Sequence, residues 1–196
     1  LGDVYKRQVN KLFQKTFEGL ASKDTSTLKE NLTTVSKLDK DVDLIANNVF
    51  YFIKNLDEAS KESASDFHMK ILGGLENITL SMQTITKSIY KHFNNNHRGL
   101  TYNQLRELKE LEDDMNNFFK KIVQTFEKQK YEEIKSIFTI KESLIKSLNK
   151  KIKSQVSQTK DKDSGPRNTR LYFEFLNKTQ NLSLIHISEP TRRRHI

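Results

Sequence analysis

Leu28 to Leu56 reads LKENLTTVSKLDKDVDLIANNVFYFIKNL, and the spacing of its apolar residues decides the fold. Leu28, Leu32, Val35, Leu38, Val42, Ile45, Val49, Phe52 and Leu56 follow one another at steps of three or four. That period holds all nine on one side of a long helix. A narrow apolar seam of this kind suits antiparallel packing in a bundle.

The flanking sequence extends the pattern in both directions. A first helix is expected from Asn10 to about Ala21, with Leu12, Phe13, Phe17 and Leu20 on one face. Ser22 to Ser26 forms a turn, and Asp24 or Thr25 is suited to cap the long helix that follows. Asp57 to Ser60 makes the next turn. A third helix then carries Phe67, Ile71, Leu75, Ile78, Met82, Ile85, Ile89 and Phe93. Gly73-Gly74 interrupts it, at roughly 1 kcal/mol each relative to alanine. Close helix packing or a kink is the expected reason, ahead of a hinge.

The strongest break is Asn94 to Leu100, NNNHRGL. Gly99 fits a helix-terminating position and Thr101 an N-cap. Leu105, Leu108, Leu111, Met115, Phe118, Phe119, Ile122 and Phe126 mark a fourth helix. After Gln129-Lys130, a fifth carries Ile134, Ile137, Phe138 or Ile140, Leu144, Leu148, Ile152 and Val156. Thr159 to Asn168 is a polar turn, and Leu171, Tyr172, Phe175 and Leu176 open a sixth helix. The expected class is all-α, an antiparallel bundle of about six helices in two three-helix halves. Short internal matches support the halves: Thr16-Phe17-Glu18 with Thr125-Phe126-Glu127, and Asp43-Leu44-Ile45 with Ser143-Leu144-Ile145.

The two ends read differently. Leu182 to Arg192, LSLIHISEPTR, back-translates to a transposon-end adapter used in sequencing libraries. The reverse complement of the start of that adapter translates to LGDVYKRQ, which is Leu1 to Gln8. Residues 1–8 and 182–196 are therefore expected to be adapter-derived. The natural bundle then covers about 9–181, in halves of about 9–96 and 101–181, with its last helix truncated. Setting aside a net +1 from residues 1–8 and +2 from residues 182–196 takes the formal charge from +9 to +6. On this reading the arginines near the end form no nucleic-acid motif, and His186 and His195 are not ligand candidates.

Composition narrows the function. Of 196 residues, 35% are hydrophobic and 30% charged, with six Gly and two Pro, so breakers are scarce. With no Cys there is no disulfide framework, thiolate metal site or cysteine nucleophile. No apolar run approaches the roughly 20 residues that span a membrane. Lysines are spread along every segment, which reads as a solvated helical surface, and nucleic acid is not an expected partner. Catalytic signatures are absent: there is no Gly-x-Ser-x-Gly, Walker loop, His-Glu-x-x-His or Glu-x-x-His pair. No glycine-rich anion loop marks a phosphate site either. His92 and His97 flank the Asn-rich turn and are expected to be exposed. Phe50, Phe52, Phe118 and Phe119 sit at core spacing, which favours packing over base stacking.

Three segments carry a family resemblance. Lys37 to Leu56 resembles the second helix of PhoU-type domains. Asn94 to Leu100 resembles the turn between halves in the cytosolic domain of bacterial sodium/phosphate cotransporters. Arg167 to Asn181, RNTRLYFEFLNKTQN, resembles the last helix of that domain. The resemblance implies a non-catalytic regulatory domain on the cytoplasmic face of the bacterial inner membrane. It would modulate phosphate uptake by docking on a transport unit encoded upstream of Val9, and a homodimer stays open. The alternatives are a free-standing PhoU-like signalling regulator, or a basic helical binder of nucleic acid or membrane surfaces. The resemblance also implies acid-x-x-x-acid pairs that bind divalent or trivalent metal ions. Asp39 with Asp43 and Glu110 with Asp114 fit that spacing, which puts two carboxylates on one helical face. Thr139 and Ser143 stand at the positions of the second half that match Asp39 and Asp43, so the symmetric acid pair is lost.

Overall fold

The computed structural model describes residues 2–128, 131–158 and 165–183. Its elements are α1 (Gly2–Ser22), α2 (Thr25–Lys54), α3 (Glu58–Asn94), α4 (Tyr102–Glu127), a 3-10 turn (Tyr131–Glu133), α5 (Ile134–Gln158) and α6 (Pro166–Ser183). The fold is the expected all-α antiparallel bundle. Helix α2 packs along α3, and α1 lies against both. Helix α4 packs on α5, and α5 on α6. Helix α1 also packs on α4, and α3 on α6.

Local chemistry starts each helix where a donor needs a partner. Asp24, rather than Thr25, caps α2: its Oδ1 accepts from the backbone N–H of Ser26 at 2.9 Å and Thr27 at 3.1 Å. Asp57 caps α3 by accepting from Ser60 N–H at 2.9 Å. Thr101 and Gln104 cap each other reciprocally before α4, with Gln104 N–H donating to Thr101 Oγ1 and Thr101 N–H to Gln104 Oε1. Pro166 opens α6, where its missing N–H costs nothing. The terminator of α3 is not Gly99. Asn96 takes the left-handed conformation at φ 56°, and no described glycine has positive φ.

The core is one cluster that draws on all six helices. Phe13 of α1 and Phe175 of α6 meet with ring centroids 5.6 Å apart, and the tilted rings of Phe118 and Phe119 lie side by side at 6.0 Å. A buried polar pair crosses this region. Thr86 donates its hydroxyl proton to Met82 O at 2.8 Å, so Thr16 donates to Thr86 Oγ1 at 3.1 Å.

Several expected positions come out differently. Helix α2 buries nothing beyond Val42, so Phe50 and Phe52 are 65% and 55% exposed instead of lying in the core. Among the described residues, α2 and α3 run on together past the shared core as a two-helix arm. Val156 and Phe138 are also exposed, because the seam of α5 ends before Val156 and runs through Ile140 instead. Leu44 is exposed where its sequence match Leu144 is buried, so this internal match pairs unlike environments. Gly73 and Gly74 are helical, and a Cβ at either would meet no atom within 4 Å, so close packing does not explain them. The side chains of Phe67, Ile71 and Phe126, and the Gln129-Lys130 junction, lie outside the described residues.

Neither expected adapter boundary coincides with a helix end. Helix α1 runs from Gly2 through Val9, and Tyr5 donates to Leu75 O at 3.0 Å. Helix α6 continues past Asn181 to Ser183, with Leu182 buried.

Candidate functional site

The acidic pairs occupy separate places. Asp39 and Asp43 lie on the exposed face of α2. The Asp39 charge is felt by Tyr5, whose hydroxyl is pushed well above its usual range, mainly by burial. Glu110 and Asp114 lie on the exposed face of α4. Lys151 of α5 reaches across to donate to Glu110 Oε2 at 2.8 Å and holds that carboxyl below its ordinary value. Asp114 is shifted upward instead, first by desolvation, with Lys151 opposing and the Asp113 and Glu110 charges adding. The cation nearest the second acidic pair is thus an ammonium of the protein itself.

Hard cations of the calcium type take six to eight oxygen ligands. Among the described residues, no group of three or more His, Asp or Glu is placed to hold a metal ion. Each pair therefore offers two carboxylates on one helix, and the two pairs do not converge. Thr139, at one of the matching positions of the second half, spends its hydroxyl on Lys135 O at 3.2 Å.

The turn between α3 and α4 is more constrained than its polar sequence suggested. His92 is 7% exposed rather than open to solvent. Its Nε2 donates to Arg98 O at 2.7 Å, which folds the turn back on the end of α3. His97 packs edge-on against His92, with ring centroids 5.1 Å apart. Arg167 of α6 places Nη1 3.0 Å from His97 Nδ1 and 3.2 Å from Nε2, so it donates to the ring. Guanidinium has no acceptor, so His97 must be neutral to accept. The lowered pKa of His97 agrees, arising from desolvation first and then from Arg167 and His92. Asn168 Nδ2 donates to Gly99 O at 2.7 Å. The NNNHRGL turn and the RNTR start of α6 are therefore partners in space.

Electrostatic pairing continues along α4. Lys109 bonds Asp113 at 2.8 Å and the buried Glu112, and lies 5.9 Å from the centre of the Phe17 ring. Its ammonium is stabilised well above the usual lysine range, first by those two hydrogen bonds. Tyr172 donates to Glu107, and burial followed by that carboxylate raises its hydroxyl strongly. Lys109 thus meets α1 at Phe17, and Glu107 ties α4 to α6 through Tyr172. Among the described residues, no helix is long and apolar enough to cross a membrane.

No protein-family model matches the sequence. No curated protein matches it either. Among solved structures, the chain is similar to the phosphate transport system regulatory protein PhoU from Streptococcus pneumoniae. The TM-score is 0.71 at 15% identity, over 92% of this chain and 84% of that one. At that identity the likeness is one of fold alone.

Proposed function

We propose that this chain is a non-catalytic regulatory domain that modulates phosphate uptake by docking on the cytosolic face of a sodium-dependent phosphate transporter. The observation that carries this reading is the agreement of fold with PhoU over nearly the whole chain. The three segments that resemble PhoU-type domains support it, and two of them touch in the structure. The arm supplies a surface for docking, since Phe50, Tyr51 and Phe52 all present exposed aromatic area there. Docking shifts the transporter between conformations only if the bundle binds one of them better.

Uptake of radiolabelled phosphate tests the reading in the source bacterium. Removing the gene should change the initial rate, and restoring it should reverse the change. Restoring a Phe50→Ser/Phe52→Ser variant should fail while the bundle stays folded. An unchanged rate after removal rejects the proposal.

A free-standing PhoU-like regulator is the second reading, favoured by one observation: the match spans 84% of the PhoU chain. Uninterrupted genomic sequence separates the two. The first requires a hydrophobic transport unit upstream of Val9 in the same frame, and the second a start codon there.

A further inference from the structure

A groove of about 330 Å³ runs between α1 and α2. Lys11 and Lys15 line it from α1, and Lys37 from α2. None of the three forms an ion pair or hydrogen bond among the described residues. Asp41 is the one carboxylate on the lining, which leaves the groove cationic. Lysines four residues apart repel each other along a helix, so Lys11 and Lys15 work against α1 unless an anion lies between them.

The floor carries an independent signal. Asn31 lines the same groove and is 2% exposed, yet its buried Nδ2 has no hydrogen-bond partner. A buried amide donor left unmade is costly, so such groups call for an explanation. A half-turn of the amide exchanges Nδ2 with Oδ1, which lets Asn31 turn a donor toward an acceptor in the groove. Thr34 adds a hydroxyl to the lining, now spent on Glu30 O at 3.1 Å. Gln8 also lines the groove but falls in the segment expected to be adapter-derived, and nothing here needs it.

We propose that the α1–α2 groove binds a free phosphate-bearing anion through Lys11, Lys15 and Lys37, with Asn31 donating from the floor. The volume falls at the lower end of the roughly 300–1,000 Å³ typical of small-molecule sites. It has room for more than one phosphoryl group, so a phosphoryl chain should bind more tightly than inorganic phosphate. A compact ammonium is a common phosphate partner, and three of them distinguish phosphate from singly charged anions. The site uses side chains rather than a helix N-terminus, which is why no glycine-rich signature announces it. It stands whether or not the bundle docks on a transporter.

Calorimetric titration of the full chain tests it, with inorganic phosphate and tripolyphosphate as probes. Saturable binding is expected, tighter for tripolyphosphate. Lys11→Gln, Lys15→Gln and Lys37→Gln should each weaken it by about tenfold. A Lys146→Gln variant on α5 removes equal charge elsewhere and should bind as the parent does. Sedimentation with phosphatidylglycerol vesicles separates a lipid headgroup from a free anion. Absence of saturable heat with both probes overturns the proposal. So does equal weakening in the α5 variant, or binding seen on vesicles alone.

Discussion

Gly19 and Gly73 are both helical glycines, yet they sit in opposite kinds of surroundings. A Cβ on Gly19 would lie 2.8 Å from the side chain of Leu28, which is fully buried where α1 turns into α2. A Cβ on Gly73, where the arm leaves the bundle, would meet nothing. The first glycine is there because two helices touch. The second leaves the helix with backbone freedom that packing does not require. The same difference separates the base of the molecule, where six helices share one core, from the arm, where, among the described residues, α2 and α3 pack on each other.

The largest break in that contrast should come from the core. Phe175→Ala removes the partner of Phe13 and should cost about 3–5 kcal/mol in urea denaturation. Phe50→Ser on the arm should stay within about 0.5 kcal/mol. Gly19→Ala forces a methyl into Leu28 and should destabilise by about 1–3 kcal/mol. Tyr172→Phe removes the hydrogen bond to Glu107 and should cost about 1 kcal/mol, without shifting hydrogen exchange in the arm. Gly73→Ala should reverse the sign, stabilising by about 0.5–1 kcal/mol and slowing exchange in α3.

The smallest effect is a pH response at the opposite end from the arm. The folded pKa of His97 is lowered from 6.5, so the unfolded chain binds more protons in that range. The contribution is full above the ordinary value and is lost as pH falls through the lowered one. Amide exchange in the first turn of α6 should therefore speed up on acidification, as Arg167 loses its acceptor. His97→Asn should flatten that response. An arm whose exchange follows the same profile would erase the distinction between the two ends.

The helices were legible because their seams repeat over many turns, and a period sustained from Leu28 to Val42 admits little else. What periodicity cannot say is whether a partner helix is present at each turn. Phe52 continues the seam of Val42 faithfully, yet it is 55% exposed where Val42 is buried. The turn residues were read for their own conformations, and the contacts that mattered came from elsewhere. His92 is buried by a bond to Arg98 O, and His97 is engaged by Arg167, seventy residues away. The acidic pairs were visible as spacing alone, while Lys151 beside Glu110 depends on how α5 lies on α4. The three groove lysines belong to two helices, and none follows a motif. Their only trace in the sequence is the i, i+4 pair Lys11 and Lys15.

Helix α3 belongs to both regions, and this gives it a mechanical meaning. At 1.5 Å per residue, its 37 residues make a rod of about 55 Å. The stretch from Gly74 to the tip at Glu58 is about 24 Å of that length. A tilt of about 10° at the two glycines would move the aromatic tip by roughly 4 Å, while the core around Met82 and Ile85 stayed still. Such a lever turns a small angular change at its fulcrum into a displacement large enough for a bound surface to register.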